Sequence, residues 1–358
     1  MVASIFVPQI NSIERLASGL LEPMAPYDVL SWIDLTSVQA GNVVRAAQAA
    51  RQSHRILLGV GWPGADAEEL LDALTLTVHS DVDGMHDNRT VYVDDLDAAV
   101  VELTAAISRM PIASATITGL LRAARSLDVH DGLIMESFAY STLQAGPEYA
   151  EWLASVHYRT KPEVGEPVTV DREDNRLIVT LNRPDRHNAL NATMRDALVE
   201  ALTVALLDPR VTAMTLQGSG PSFSSGGDLT EFGSASDPAS AHLIRTQHRP
   251  AEQIHALTDR LGDQCVANVH GAVMGGGLEL AAFAGCVVAD PSSRFLLPEL
   301  SMGLLPGAGG TVSVARRIGR WRAAWMILSG NIIDATVALD WGLVDAVQSG
   351  KRSNESDK

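Results

Sequence analysis

The chain has 358 residues, 46% of them hydrophobic and 20% charged, enough apolar mass for one large domain or two ordinary ones and too much for wholesale disorder. Lys and Arg number 27 against 43 Asp and Glu, a formal charge of -16, which argues against nonspecific nucleic-acid binding or adhesion to an anionic membrane, since both need a basic surface. A polyanionic small ligand stays open, because a few local N–H groups or arginines can override the average field.

With only two cysteines, Cys265 and Cys286, in different apolar contexts, a disulfide scaffold or thiolate metal site is not expected. The opening MVASIFVPQINSIERL lacks a basic stretch followed by an apolar one, so no signal peptide is expected. No uninterrupted apolar run approaches the roughly eighteen residues of a membrane helix. A cytoplasmic setting follows as the default.

Residues 1–93 read as a mixed α/β region without a chemical motif: a helix at 38–52, the apolar run Ile56–Val60, a helix at Ala65–Ala73 and the strand-like Leu74–Val78. The acidic stretch Asp81–Asn88 reads as loop. Residues 94–165 read as helical. Leu96, Ala99, Val100, Leu103 and Ile107 fall on one face. Pro111 is expected to interrupt, with further helices at Thr118–Ser126 and Asp131–Thr142 and another starting at Pro147, where proline suits a first turn. KPEVGEP (161–167) is the clearest linker.

From residue 166 to 348 the texture is strand–helix alternation. Two strands flank a turn at Glu173–Asn175, and the helix Ala192–Leu207 carries the stripe Met194, Leu198, Ala201, Leu202 and Ala205. There follow a strand Ala213–Gln217, a Gly/Ser-rich loop at 218–227, a helix at 246–262 and a strand Cys265–Val269. A glycine-started helix Gly276–Ala284, strands Cys286–Ala289 and Phe295–Leu297, and helices at 310–318 and 321–328 complete the series. The pattern predicts an α/β fold with ligand-binding loops at strand ends. Residues 349–358 are expected to be a flexible polar tail.

Two glycine loops stand out, FSSGGDLTEF (223–232) and VHGAVMGGGLELAA (269–282). Glycine lets a ligand approach the backbone, and a helix start leaves N–H groups unpaired. One N–H from each loop could converge on a carbonyl oxygen and stabilise the charge of an enolate-like state. Each loop alone is equally well read as a tight turn or close helix packing. Neither fits the dinucleotide fingerprint or the P-loop. Glu279 and Glu299 lie in strongly apolar surroundings, where desolvation raises a carboxyl pKa toward the range of acid–base work. Two such groups facing one cavity could hold and exchange the protons of a water. Taken singly, Glu279 also reads as a carboxylate at a helix start, and Glu299 as an ordinary first-turn residue. Pro306–Gly310 forms a further N–H-rich turn.

The ordered series VTVDREDNRLIVTLNRPDRHNALN, FSSGGDLTEF, VHGAVMGGGLELAAFAGCVVAD, FLLPELSMGLLPGAGGT and LSGNIIDATVALDWGLVD resembles the crotonase superfamily, the enoyl-CoA hydratase/isomerase group, across residues 166–348. The resemblance implies a crotonase-like spiral core of ββα units. It places the oxyanion donors at Gly227 and Gly276, the catalytic glutamates of hydrating members at Glu279 and Glu299, and the turn glycine beside the water at Gly307. It implies CoA contacts from His187, Asn188, Ala189 and Leu190, and from Ser225, Gly226, Asp228 and Leu229, with Arg183 or Arg186 meeting a phosphate or else serving as solvated turn residues. No metal or redox cofactor is implied; coenzyme A is the substrate's handle. Trimers or hexamers are implied as the assembly. Gly285 stands where many relatives carry an aspartate.

The chain order departs from the family's pattern. Members continue past WGLVD into about sixty helical residues that cover the acyl pocket, whereas here residues 94–162 resemble that tail and precede the core. Both a permuted cap and an internally deleted first crotonase-like domain fit this order. Tyr140, Tyr149, Trp152 and Tyr158 could line an acyl pocket or simply pack helices. The expected reaction is reversible hydration of a 2-enoyl-CoA; double-bond isomerisation, other acyl-CoA enolate chemistry, and an inactive CoA-ester-binding scaffold are the alternatives.

Overall fold

The computed structural model describes residues 10–18, 21, 27–36, 40–81, 87–156 and 165–348. Most of the acidic stretch 81–88, the linker residues 161–164, Tyr158 with the rest of 157–160, and the tail 349–358 lie outside the described residues. The chain divides into two units, the first comprising Met1–Trp152, Glu299–Leu305 and Ile318–Gly330, the second Leu153–Pro298, Pro306–Arg317 and Asn331–Lys358.

The first unit starts with β1 (Ile10–Asn11), α1 (Ile13–Ala17), β2 (Leu30–Asp34), α2 (Ala40–Gln52), β3 (Ile56–Val60), α3 (Glu68–Ala73), β4 (Leu76–His79) and β5 (Thr90–Tyr92). The five strands form one sheet in chain order, every pair parallel. Both faces are covered, which is why β3 reads as an unbroken apolar run rather than an alternating one. Ile33 packs with α1, α2 and α3 in a core that includes Leu16, Val43, Ala47, Leu70 and Leu71. Its neighbour Trp32 is also buried, and its Nε1–H donates to Thr104 Oγ1 at 2.9 Å. The sequence reading missed β1, β2 and β5, and it began β4 at Leu74. That residue instead closes α3, its N–H donating to Leu70 O.

Four helices follow: α4 (Leu96–Arg109), α5 (Pro111–Ala123), α6 (Val129–Gln144) and α7 (Pro147–Ser155). Asp95 and Asp128 cap α4 and α6 by accepting from Ala98 N–H and Asp131 N–H. Pro111 marks the break after α4 as expected and itself opens α5, as its missing N–H costs nothing in a first turn, so α5 starts well before the predicted Thr118. The next two N–H groups, of Ile112 and Ala113, are capped from α7, where the Glu148 carboxylate accepts them at 2.7 and 2.9 Å. Tyr149 is buried and stacks on Trp152 of the same helix, with centroids 5.8 Å apart. The short 3-10 turn Glu299–Met302 belongs to this unit too. A side chain at Gly303, just after it, would stand 2.6 Å from the Tyr149 nitrogen at the start of α7.

The second unit contains β6 (Val168–Glu173), β7 (Arg176–Leu181), α8 (Ala192–Leu207), β8 (Ala213–Gly218), α9 (Pro238–Gln247), α10 (Pro250–Leu261), β9 (Cys265–Val269), β10 (Ala272–Met274), α11 (Gly276–Ala281), β11 (Cys286–Ala289) and β12 (Arg294–Leu296). The helical run α12 (Gly310–Ser329) breaks at Gly319 (φ 79°), as the two predicted helices anticipated, and its first part lies in this unit. β13 (Ile333–Asp334), α13 (Ala335–Asp340) and β14 (Ala346–Val347) end the described fold. The main sheet runs β14-β11-β9-β8-β7-β6, parallel except for the β6–β7 hairpin. A small sheet, β10-β12-β13, stands beside it. The architecture is thus mixed α/β with parallel sheets, as the alternation predicts. Among the described residues no single helix is long and apolar enough to cross a membrane.

Candidate active site

The two glycine loops of the second unit are stitched together by backbone. Ser224 N–H donates to Ala272 O at 3.1 Å and Met274 N–H returns to Ser224 O at 3.0 Å, a bridge that places the first loop along β10. Leu190 N–H donates to Gly226 O at 2.7 Å and Asp228 N–H to Leu190 O at 2.9 Å, which fixes the HNAL stretch against the same loop. The close approach explains Gly277: a Cβ there would lie 2.5 Å from the Ser224 Cβ.

This stitching leaves two N–H groups over. Among the described residues, no acceptor meets the N–H of Gly227, which is skipped by the bridge to Leu190, or that of Gly276, the first residue of α11. The two positions are close. A carbon at the Cβ position of Gly276 would lie 4.0 Å from the Gly227 nitrogen, and one at Gly226 3.5 Å from the Gly276 nitrogen. The two N–H groups singled out from the sequence therefore lie close to one another.

Glu279, one turn into α11, is 1% exposed. Its Oε2 accepts from Ala308 N–H and from Gly310 N–H, both at 2.7 Å. The turn containing Gly307 thus fastens the carboxylate through its own N–H groups, and Ser313 Oγ–H donates to the Glu279 carbonyl at 2.8 Å. Ala308 also lines the donor pocket, its Cβ 3.5 Å from the Cβ position of Gly276. The sequence indicated this turn as N–H-rich, but nothing local marked Ala308 and Gly310 as the donors.

The expected CoA contacts divide. Arg183 is neither a solvated turn residue nor presented to a phosphate. Its guanidinium is buried, pairs with Asp228 at 2.9 Å and donates to Ala189 O. Burial pushes the Asp228 carboxyl up, but hydrogen bonds from Thr230 and Arg183 outweigh it and hold the group below the usual carboxylate range. Asn188 is fully buried in the left-handed region (φ 53°). Its amide donates to the carbonyls of Ser219, Ser222 and Phe223, while its Oδ1 accepts from Arg183 N–H. Both side chains are staples of the loop pair, and only the backbone around them is available to a ligand. Arg186 is half-buried and His187 exposed, its Nδ1 2.9 Å from Ser222 Oγ. Ser225 and Leu229 are half-buried on the first loop and Gly226 is buried there. Gly285 is explained by packing, since a side chain there would meet Gly262 O at 2.2 Å.

Glu299 belongs to the first unit. Its Oε2 is buried and has no hydrogen-bond partner among the described residues. Burial pushes the carboxyl up to about 8; a bond from its own backbone N–H opposes this, and the Glu136 carboxylate adds to it. At neutral pH the group is therefore held in its protonated form.

The sequence profile of the enoyl-CoA hydratase/isomerase family matches residues 171–355. The chain is 36% identical over 178 residues to the 2,3-dehydroadipyl-CoA hydratase of Escherichia coli (strain K12), covering 50% of this chain and 68% of that protein. It is 33% identical over 184 residues to a Mycobacterium tuberculosis (strain CDC 1551 / Oshkosh) protein named "Probable enoyl-CoA hydratase echA8", covering 51% of this chain and 68% of the other. A solved structure of enoyl-CoA hydratase from Thermoplasma volcanium GSS1 aligns with a TM-score of 0.46 at 30% identity, over 52% of this chain and 73% of that one. With the profile matching more than half of its length, the chain belongs to the enoyl-CoA hydratase/isomerase family.

Proposed function

We propose that the protein reversibly adds water across the 2,3 double bond of an enoyl-CoA thioester. The observation that carries this reading is the buried Glu279 carboxylate, whose Oε2 is fastened by two backbone N–H groups, in the same loop cluster as two further N–H groups that meet no acceptor among the described residues. The Gly227 and Gly276 N–H groups accept the load of negative charge as the thioester carbonyl becomes enolate-like. Glu279 orients and deprotonates a water that bonds to C3. Glu299, protonated at neutral pH, delivers the proton to C2, and dehydration runs the same steps backwards. Hydroxyl ends on C3 with one of the water's hydrogens, Glu279 holds the other, and Glu299 has given its proton to C2, so passing one proton from Glu279 back to Glu299 resets both carboxyls.

CoA is held in this reading by the backbone of His187–Leu190 and Ser225–Leu229, with Arg186 as the phosphate contact. The displaced helices serve as the acyl cap; the supporting observation is that α4, α5 and α6 share one unit with the Glu299–Leu305 segment. Glu279→Gln and Glu299→Gln should each lower turnover by about 100-fold or more and leave CoA-ester binding largely intact. The assay is loss of the conjugated-thioester absorbance of a short 2-enoyl-CoA, with product analysis to separate hydration from isomerisation. Full hydration by the double variant refutes the assignment.

A further inference from the structure

Glu148 is the second residue of α7, outside the stretch that matches the family, and it is engaged on two sides within the first unit. Its carboxylate spends both oxygens on the first turn of α5. Oε1 accepts from Ile112 N–H at 2.7 Å and Oε2 from Ala113 N–H at 2.9 Å. Pro111 has no N–H and Ser114 N–H donates to Met110 O, so these two are the donors that the helix start leaves over. A carboxylate is favoured there by both bonds and by the positive end of the helix dipole. The clamp joins residues thirty-six positions apart and fixes where α7 begins.

On its other side Glu148 meets the turn that carries Glu299. Gly303 (φ 68°) lies so close to the start of α7 that a Cβ there would stand 2.7 Å from the Glu148 carbonyl carbon and 2.8 Å from the Glu148 Cβ. Only glycine permits both that backbone conformation and that approach. Gly303 N–H donates to Leu300 O at 2.9 Å and Leu304 N–H to Glu299 O at 3.1 Å, so the backbone of Glu299 is closed onto the residue that rests on Glu148. The Glu299 Oε2 makes no hydrogen bond among the described residues, and no bond of that oxygen holds the carboxyl in place. Close-packed contacts transmit a shift rather than absorb it, so movement at the start of α7 reaches the turn.

We infer that Glu148 is a positioning residue for Glu299: its clamp on α5 fixes the start of α7, and the start of α7 fixes the turn that carries the Glu299 carboxyl. The inference deepens the hydratase reading and rests on it for its catalytic meaning, while the placement of the carboxyl can be followed without any reaction.

The test titrates carbon-13-labelled glutamate carboxyls by NMR, with Glu299 assigned through its glutamine variant. In the wild type the Glu299 midpoint should lie near pH 8. Glu148→Ala releases α7, lets water reach the carboxyl and should lower that midpoint by at least about half a pH unit, about a threefold gain in acidity. Glu148→Asp keeps the negative charge but reaches one carbon less far, so it should recover only part of the wild-type value. In hydration assays Glu148→Ala should lower kcat about tenfold with KM within about threefold. Added to Glu299→Gln it should lower kcat by less than about twofold further, because it acts through that residue. A folded Glu148→Ala protein with an unmoved midpoint overturns the inference. So does full recovery by Glu148→Asp, which would assign the effect to charge alone, or an undiminished loss of kcat on the Glu299→Gln background. Should Glu148→Ala not fold, the Glu148→Asp midpoint decides, lowered if placement matters and unchanged if it does not. A graded fall of the midpoint in a protein that hydrates nothing keeps the positioning role and removes the reaction.

Discussion

Gly310→Ala offers a direct test of how Glu279 is held. Gly310 opens α12 and donates to Glu279 Oε2 at 2.7 Å. A Cβ at this position would stand 2.6 Å from Glu279 Cγ and 2.9 Å from both its Oε2 and the Pro306 Cβ. Ordinary contact starts at 3.4 Å, so the glutamate must retreat by about 0.8 Å. It cannot simply swing aside, because the same oxygen is bonded to Ala308 N–H and the Glu279 carbonyl to Ser313. A displacement near 1 Å at a reacting group costs roughly 100-fold in rate. We therefore expect kcat for enoyl-CoA hydration to fall roughly 30- to 100-fold, with KM within about threefold, because the Gly227 and Gly276 donors are untouched. Overpacking should lower stability by about 1–3 kcal/mol, which a denaturant titration measures separately. A folded Gly310→Ala protein with wild-type kcat would show that Glu279's anchored position is not needed for turnover.

Two further expectations concern stability. Asn188→Ala removes four hydrogen bonds, three of them buried, and orphans three loop carbonyls, and should cost on the order of 3 kcal/mol in chemical denaturation; a loss under 1 kcal/mol would show that the loops hold without this staple. For Glu299 the folded value of about 8 lies above the unfolded one, near 4.3, so the folded state binds the extra proton between them. Its contribution is present below the unfolded value and is lost as pH rises through about 8. Glu299→Gln should therefore gain stability relative to wild type from pH 5 to pH 9; a constant difference between the two proteins would contradict the buried, protonated form.

What could be read from the sequence was what repeats a local rule. The stripe of α8 and the turn at Glu173–Asn175 follow periodicity and turn chemistry, and the glycine loops and Glu279 carry their chemistry in adjacent letters. The pairings over distance were not legible. Nothing near Arg183 announces Asp228, forty-five positions on, and so a buried clamp was read as a phosphate contact or a solvated residue. β10 is three residues inside a glycine motif, too short for alternation to register. By contrast α9 had a usable signal that was overlooked: Asp237 accepts from Ser240 N–H and Pro238 follows it, the usual start of a helix.

The contact between Gly303 and the start of α7 bears on how this protein can be dissected. Cutting the gene down to the stretch shared with its relatives would retain Glu299 to Leu305 while discarding the backbone that Gly303 abuts and the Glu148 carboxylate that fastens it. Such a fragment would keep every letter of the recognisable signature and lose the surroundings that set one of its acids. Limited proteolysis or modular grafting that treats the N-terminal half as a detachable appendage would meet the same obstacle, because the polypeptide leaves and re-enters each unit more than once.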